Sequence, residues 1–211
     1  MKNQNEKKNF SIVLLGDADV PKTHILNCYK NDKIKTDETN GSMIGIDDSE
    51  KHIEIDNIPI ELQLIDTAGQ EKFKAVTQSI YPKGDGFIIF FNYSNNESFD
   101  SITYWYNNII KFSKFKKIPP PTLIVGIFNN DDNINKEKNL DIIKEKIKEK
   151  NKEIKSYNII DLIDCNYTKL EDIKKIFETI VNHLLKYGKE REHNNTLNTN
   201  KNQKKKGCCC K

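Results

Sequence analysis

"LQLIDTAGQEKF" fills residues 62–73, and its reading decides the fold. The apolar opening predicts a strand that delivers Asp66 at its end, where a carboxylate can hold Mg²⁺ through water. Just beyond it, Gly69 offers a backbone N–H to a terminal phosphate and Gln70 can orient an attacking water. Upstream, "KHIEID" (51–56) and "IELQLID" (60–66) flank the turn "NIP" and predict a β-hairpin. A loop that senses one phosphate requires a second element to hold the rest of a polyphosphate.

Residues 16–23, "GDADVPKT", supply it. They satisfy the phosphate-cradling pattern G-x-x-x-x-G-K-[ST] everywhere except at Pro21, where the second glycine should stand. Such a loop works because backbone N–H groups and the positive end of the following helix face the phosphates. "FSIVLLG" (10–16) is the required strand and a helix is expected from Lys22 to Tyr29. The expected cradle is Gly16, Asp17, Ala18, Asp19 and Val20. Lys22 would reach the β/γ-phosphates, and Thr23 would offer its hydroxyl to Mg²⁺, making Thr23 and Asp66 the metal pair.

Outward from these two stretches, strands and helices alternate. A short helix is expected over Lys72–Tyr81, then the continuous apolar strand "GFIIFFN" (86–92). Ser94 and Glu97 read as a capping box for a helix with Phe99, Ile102, Trp105 or Tyr106, and Ile109 on one face. "PTLIVGIF" (121–128) is a strand behind a proline stop. A charged helix around 136–150 carries Leu140, Ile143 and Ile147 at helical spacing, and "SYNIIDLI" (156–163) is the last strand. Thr168 and Glu171 cap a long helix bearing Ile173, Phe177, Ile180 or Val181, and Leu184, with Gly188 expected to end it. This order predicts an α/β domain, a mostly parallel six-stranded sheet with helices on both faces, over residues 10–188. Residues 1–9 form an N-terminal extension, and 189–211, polar and without periodicity, a disordered tail.

Composition excludes several classes. A formal charge of +3 over 211 residues, with Arg191 the lone arginine, gives no basis for nucleic-acid binding. No apolar run approaches the ~20 residues that span a bilayer, no signal-peptide pattern opens the chain, and Lys2 excludes N-myristoylation at that position. Cys28, read as helical, and Cys165, read as lying in a loop, stand far apart and form no disulfide framework, which suits a reducing cytosol. His24, His52, His183 and His193 have no metal-ligand spacing, and Trp105 reads as helix-face packing in preference to a partner anchor.

"IDTAGQE" after a hairpin, with the phosphate loop upstream, resembles a Ras-superfamily small GTPase of the Rab branch. "SMIGIDD", "YPKGDGFIIFFNYSNNESFD" and the cysteine-rich end extend the likeness from about Phe10 to Tyr187 and into the tail. The resemblance implies GTP/GDP and Mg²⁺ as ligands and Gln70 as the catalytic residue.

The departures from the family pattern gather at the nucleotide. Pro21 keeps a helix-first-turn conformation but removes an N–H. Asp19 stands where a glycine is usual and brings a carboxylate beside a polyphosphate. One lost charge-assisted bond costs roughly 1.5–3 kcal/mol. Met43 takes the place of the threonine that senses Mg²⁺, and a thioether is a poor ligand for that ion; Thr36 or Thr39 are the available substitutes. Ile34 lies near where an aromatic ring packs on guanine. The family's N-K-x-D falls on Ile127, Phe128, Asn129 and Asn130, or, shifted by two, uses Asn129 and Asp132 in a longer loop. Its S-A-K loop corresponds to about Ile163–Asp164–Cys165, without a match. The aromatic triad that reads Rab partners falls on Asp48, Ile65 and Ile80.

The end of the chain, "KKKGCCCK", resembles a Rab prenylation tail, with Cys208, Cys209 and Cys210 as the lipidated thiols. The partners implied are guanine nucleotide, a membrane held through prenyl groups, the prenylation machinery, and Rab-type effectors or regulators. The place implied is the cytoplasmic face of cellular membranes, with a cytosolic pool. The sequence therefore predicts a regulator of vesicle traffic with an impaired nucleotide cycle. The alternative is a pseudo-GTPase, an anchored interaction module without a cycle. A P-loop kinase is disfavoured, because "DTAGQE" suits water activation and substrate-binding arginines are lacking.

Overall fold

The computed structural model describes residues 7–34, 46–67, 78–115, 118–130, 140–150 and 158–205. In chain order the elements are β1 (Lys8–Leu15), α1 (Lys22–Asn31), β2 (Ile46–Ile55), β3 (Ile58–Thr67), a 3₁₀ turn at Tyr81–Lys83, β4 (Gly86–Asn92), α2 (Asn96–Phe112), β5 (Thr122–Phe128), α3 (Leu140–Lys150), β6 (Ile159–Asn166) and α4 (Leu170–Lys205). Among the described residues the strands form one six-stranded sheet in the order β2-β3-β1-β4-β5-β6. The β2–β3 hairpin is antiparallel, and the other four neighbouring pairs are parallel. The mostly parallel sheet read from the sequence is the sheet observed.

Alternation along the central strands sends successive side chains into two cores. Ile12 and Leu14 of β1, with Ile88 and Phe90 of β4, pack under α1 and α4. Val13 and Leu15, with Phe87, Ile89 and Phe91, pack under α2 and α3. Both faces of β4 are thereby buried, which is why it reads as an unbroken apolar run. Tyr29 of α1 lies flat on Phe177 of α4, ring centroids 3.8 Å apart, and fixes those two helices together. Trp105, 4% exposed, belongs to the α2 core, as its position on the helix face predicts.

Several local expectations are corrected. The hairpin turns at Asp56 and Asn57, with φ of 51° and 61°, one position before the expected "NIP". Two successive left-handed residues match the twist of paired strands, and Asp and Asn tolerate that region. The cap of α2 is Asn95 and not Ser94: the Asn95 side chain accepts from the N–H groups of Glu97 and Ser98. The last strand runs from Ile159 to Asn166 in place of the expected 156–163, so Cys165 sits within it, fully buried, and not in a loop.

Gly188 does not end the last helix, whose backbone continues to Lys205. A glycine inside a helix costs only about 1 kcal/mol, too little to stop one by itself. The last fully buried core side chain among the described residues is Leu184. Most of the helix expected over Lys72–Tyr81 and the start of the one expected over 136–150 lie outside the described residues.

Candidate functional site

The site starts where β1 meets β4. Gly16 leaves β1 with φ +142°, and a Cβ there would stand 2.6 Å from the carbonyl oxygen of Phe90. Only glycine fits a backbone that turns this close to another strand. The loop that follows folds on itself: Val20 N–H donates to the Asp17 carbonyl at 3.2 Å, and Lys22 N–H to the Val20 carbonyl at 2.7 Å. Pro21 then caps α1 with φ −75°, and its carbonyl accepts from the Ile25 N–H at 3.0 Å. Pro21 thus stands just before the helix and not in its first turn, where an N–H has no intrahelical partner to lose, so its absence costs the helix nothing.

Lys22 is 2% exposed, and its ammonium donates to the Gly16 and Asp17 carbonyls at 2.7 Å each. A lysine is rarely so buried unless paired. Its charge is thus delivered into the cradle by the loop's own main chain. Next to it, Thr23 Oγ1 donates to Asp66 Oδ2 at 2.5 Å, joining α1 to the end of β3. Asp66 is 0% exposed, and its second oxygen, Oδ1, has no hydrogen-bond partner. Burial pushes its pKa above the ordinary carboxylate value, against the Thr23 hydrogen bond and the Lys22 charge, which lower it. A buried, orphaned carboxylate oxygen is costly. Beside a hydroxyl it forms a hard oxygen pair suited to Mg²⁺. The residues present fit the ion.

The two loop carboxylates have partners that the sequence did not disclose. Asp17 Oδ1 accepts from the Trp105 indole N–H at 2.8 Å. Asp19 Oδ2 accepts from Asn95 Nδ2 at 2.5 Å. Both partners belong to α2 or its cap. The partners stand 88 and 76 residues from their aspartates, so no local pattern announces either pair.

Two strands away from β1 in the sheet, β5 runs to Phe128 and Asn129 is the first residue past the strand. Ile127 is 0% exposed and points into the core, so it cannot reach a ligand. Asn129 Nδ2 donates to Tyr167 Oη at 3.4 Å, and Asn130 Oδ1 accepts from Asn166 Nδ2 at 2.6 Å. Asn166 in turn uses its own Oδ1 to accept from the N–H and hydroxyl of Thr168. The expected correspondence of Ile163–Cys165 with a base-contacting loop is not met, since all three lie in β6. The loop proper begins at Tyr167, after the strand ends at Asn166. Asp164 accepts from the Tyr93 hydroxyl.

Gly69, Gln70 and Asp132 lie outside the described residues, as do Thr36, Thr39, Met43 and Cys208–Cys210. Of the three positions on which the family's aromatic triad falls, none of them aromatic here, Ile65 and Ile80 are 2% and 1% exposed and belong to the core. Asp48 is exposed on β2 and accepts from Gln63 Nε2 at 2.7 Å. Among the described residues no His/Cys/Asp/Glu cluster could hold a metal ion by itself, and no helix is long and apolar enough to cross a membrane.

A model of the Ras family matches residues 11–186. Human Ras-related protein Rab-8B is 40% identical over 100 residues, 47% of this chain and 47% of the relative. Rab-10 of Caenorhabditis elegans is 42% identical over 100 residues, 47% of this chain and 49% of that protein. Human Rab-19 is 35% identical over 103 residues, 49% and 46% of the two chains. The matched stretch spans about half the length of each of these curated relatives.

Proposed function

The chain belongs to the Ras family, in its Rab branch, and on that premise we propose that it is a lipid-anchored regulator of vesicle traffic with a weakened nucleotide cycle. The observation that carries the reading is the constellation of Lys22, Thr23 and Asp66. A buried ammonium pinned to the loop, and a buried carboxylate that binds the Thr23 hydroxyl at 2.5 Å through Oδ2 and leaves Oδ1 orphaned, are costly unless a charged ligand repays them. This supports a retained site for phosphates and Mg²⁺, and it speaks against a module that has discarded its nucleotide.

Within the proposal, the loop from Gly16 to Val20 and the start of α1 hold the α- and β-phosphates, and Lys22 lies against the β/γ-phosphates. Thr23 and Asp66 hold Mg²⁺, which when bound offsets the phosphate charge. Gln70 orients water and Gly69 offers its N–H to the γ-phosphate. The end of β5 at Phe128 supports the shifted register, in which Asn129 and Asp132 read the base. Asn130, tied to Asn166, has its one side-chain acceptor already engaged.

Weakening comes from Pro21, which donates nothing to the β-phosphate, and from Met43 in the place of a metal-sensing threonine. Cys208–Cys210, with Lys204–Lys206, would carry prenyl groups to the cytoplasmic face of a membrane, leaving a cytosolic pool. The prenylation machinery and Rab-type effectors or regulators are the proposed partners. Denaturing the purified protein and separating what it releases by chromatography tests the nucleotide reading. Guanine nucleotide at well under one equivalent is expected. A full equivalent of GDP that survives extensive washing would refute the weakened cycle, and no trace of nucleotide even after loading with Mg²⁺-GDP would refute binding.

A further inference from the structure

An acidic phosphate loop is a contradiction that the structure must resolve. Asp17 and Asp19 place two carboxylates on the five residues expected to cradle a polyphosphate, and like charges at a few ångströms repel strongly where water is displaced. Both are engaged from the same neighbour, α2. The tie at Asp19 is the more informative. Asn95 has one amide, and the structure uses both ends of it. Its Oδ1 accepts from Glu97 N–H at 2.8 Å and Ser98 N–H at 3.4 Å, capping α2, and its Nδ2 donates to Asp19 at 2.5 Å. The cap fixes the orientation of the amide. A carbonyl oxygen must face the helix N–H groups, so the NH₂ must face Asp19.

We propose that Asn95 is a positioning residue that draws the Asp19 carboxylate onto the N-terminus of α2, out of the phosphate cradle, and so lets this acidic loop accept a nucleotide polyphosphate. The positive end of α2 assists, because a carboxylate near a helix N-terminus is favoured by the aligned peptide dipoles. Trp105 holds Asp17 in the same sense from further along the helix. The inference rests on the proposed nucleotide site, and it assigns to Asn95 a role distinct from capping.

The two roles separate in one substitution. Asn95→Asp keeps an oxygen for the cap but replaces the donor to Asp19 with a second carboxylate. Asp19→Asn in that background restores a donor–acceptor pair with the partners exchanged. Mg²⁺-GDP affinity is to be measured by titration calorimetry for wild type, Asn95→Asp and the exchanged pair, at low and high salt. The proposal expects Asn95→Asp to weaken binding by about tenfold, corresponding to about 1.4 kcal/mol. It expects the loss to shrink in salt, and the exchanged pair to return within about threefold of wild type. The same three proteins are melted without nucleotide, where the exchanged pair should regain the melting temperature lost by Asn95→Asp. Equal melting of the single and exchanged variants would overturn the Asp19–Asn95 tie itself. A tie that shows in melting but leaves affinity unmoved would overturn the positioning role. Should wild type bind no Mg²⁺-GDP, the site reading fails and takes the positioning role with it, while the melting series still decides whether the tie exists.

Discussion

Replacing Gly16 with alanine tests how the phosphate loop is joined to the sheet. Two costs follow from the geometry. At φ +142° an L-residue is strained by about 1–3 kcal/mol. The added methyl also meets the Phe90 carbonyl oxygen at 2.6 Å, and that atom is main chain of the central strand β4, which cannot rotate aside. Forcing such an overlap costs a further 1–3 kcal/mol or so. The total, roughly 2–6 kcal/mol, is a large share of the 5–15 kcal/mol that holds a typical domain folded. At about 2–4 °C per kcal/mol for a chain of this size, the melting temperature should fall by roughly 5–20 °C.

Gly86→Ala is the matched control. Its Cβ would approach side-chain carbons of Ile180 and Leu184 at 3.3 Å, atoms that can give way, and the loss should be clearly smaller. Circular dichroism melts of the three proteins decide the matter. Since the Gly16 carbonyl also holds the Lys22 ammonium at 2.7 Å, Mg²⁺-GDP affinity should drop together with stability. A Gly16→Ala protein that melts within about 2 °C of wild type, or above Gly86→Ala, would refute the reasoning.

Three further predictions follow from other parts of the chain. If the shifted base register is right, Asp132→Ala should cost GDP at least tenfold in affinity while Asn130→Ala costs little; the reverse order would restore the unshifted register. Cys208, Cys209 and Cys210 changed together to serine should move the protein from membranes to cytosol on fractionation, whereas alanine at Lys204–Lys206 should only weaken or redistribute it. Persistent membrane association of the triple serine variant would place the anchor in the folded domain. Asp32, hydrogen-bonded to Lys51 at 2.8 Å and to Lys174 at 2.9 Å, has its pKa lowered by those bonds. A lowered folded-state pKa stabilises above the ordinary carboxylate value and loses that stabilisation as pH falls through the lowered one. The deficit of Asp32→Asn in melting should therefore be present at pH 7, small because the pair is exposed, and gone in strong acid or in molar salt. An undiminished deficit at low pH would refute the ion-pair assignment.

The layers of this fold are legible because burial writes its own period. β4 is apolar throughout since both its faces are covered, and Phe99, Ile102 and Ile109 recur at helical spacing since one side of α2 is covered. Boundaries are less legible where two residues compete for one job. Ser94 and Asn95 both cap well, and Asn95 prevails with an amide that also bonds Asp19. Gly188 looked like a stop because glycine often ends helices, but the helix runs through it. The phosphate half of the site is legible because Gly16, Lys22 and Thr23 are set by spacing along one loop. The ties from Trp105, Asn95 and Asn166 are not, because they join residues brought together only when the sheet assembles. Neighbouring strands decide such contacts, and no window of sequence contains both ends.

The hydrogen bond between Trp105 and Asp17 also gives the molecule an optical property. The chain has a single tryptophan. Its indole is buried and donates to a carboxylate of the phosphate loop at 2.8 Å. Indole emission responds to the field and hydrogen bonding at its ring nitrogen, so the tryptophan fluorescence of this chain senses the loop at that nitrogen as well as the α2 core in which the ring is packed. Anything that shifts Asp17, whether ligand, ion or partner, is written into the colour of that one side chain, and exchange at the site can be followed in real time with no label attached.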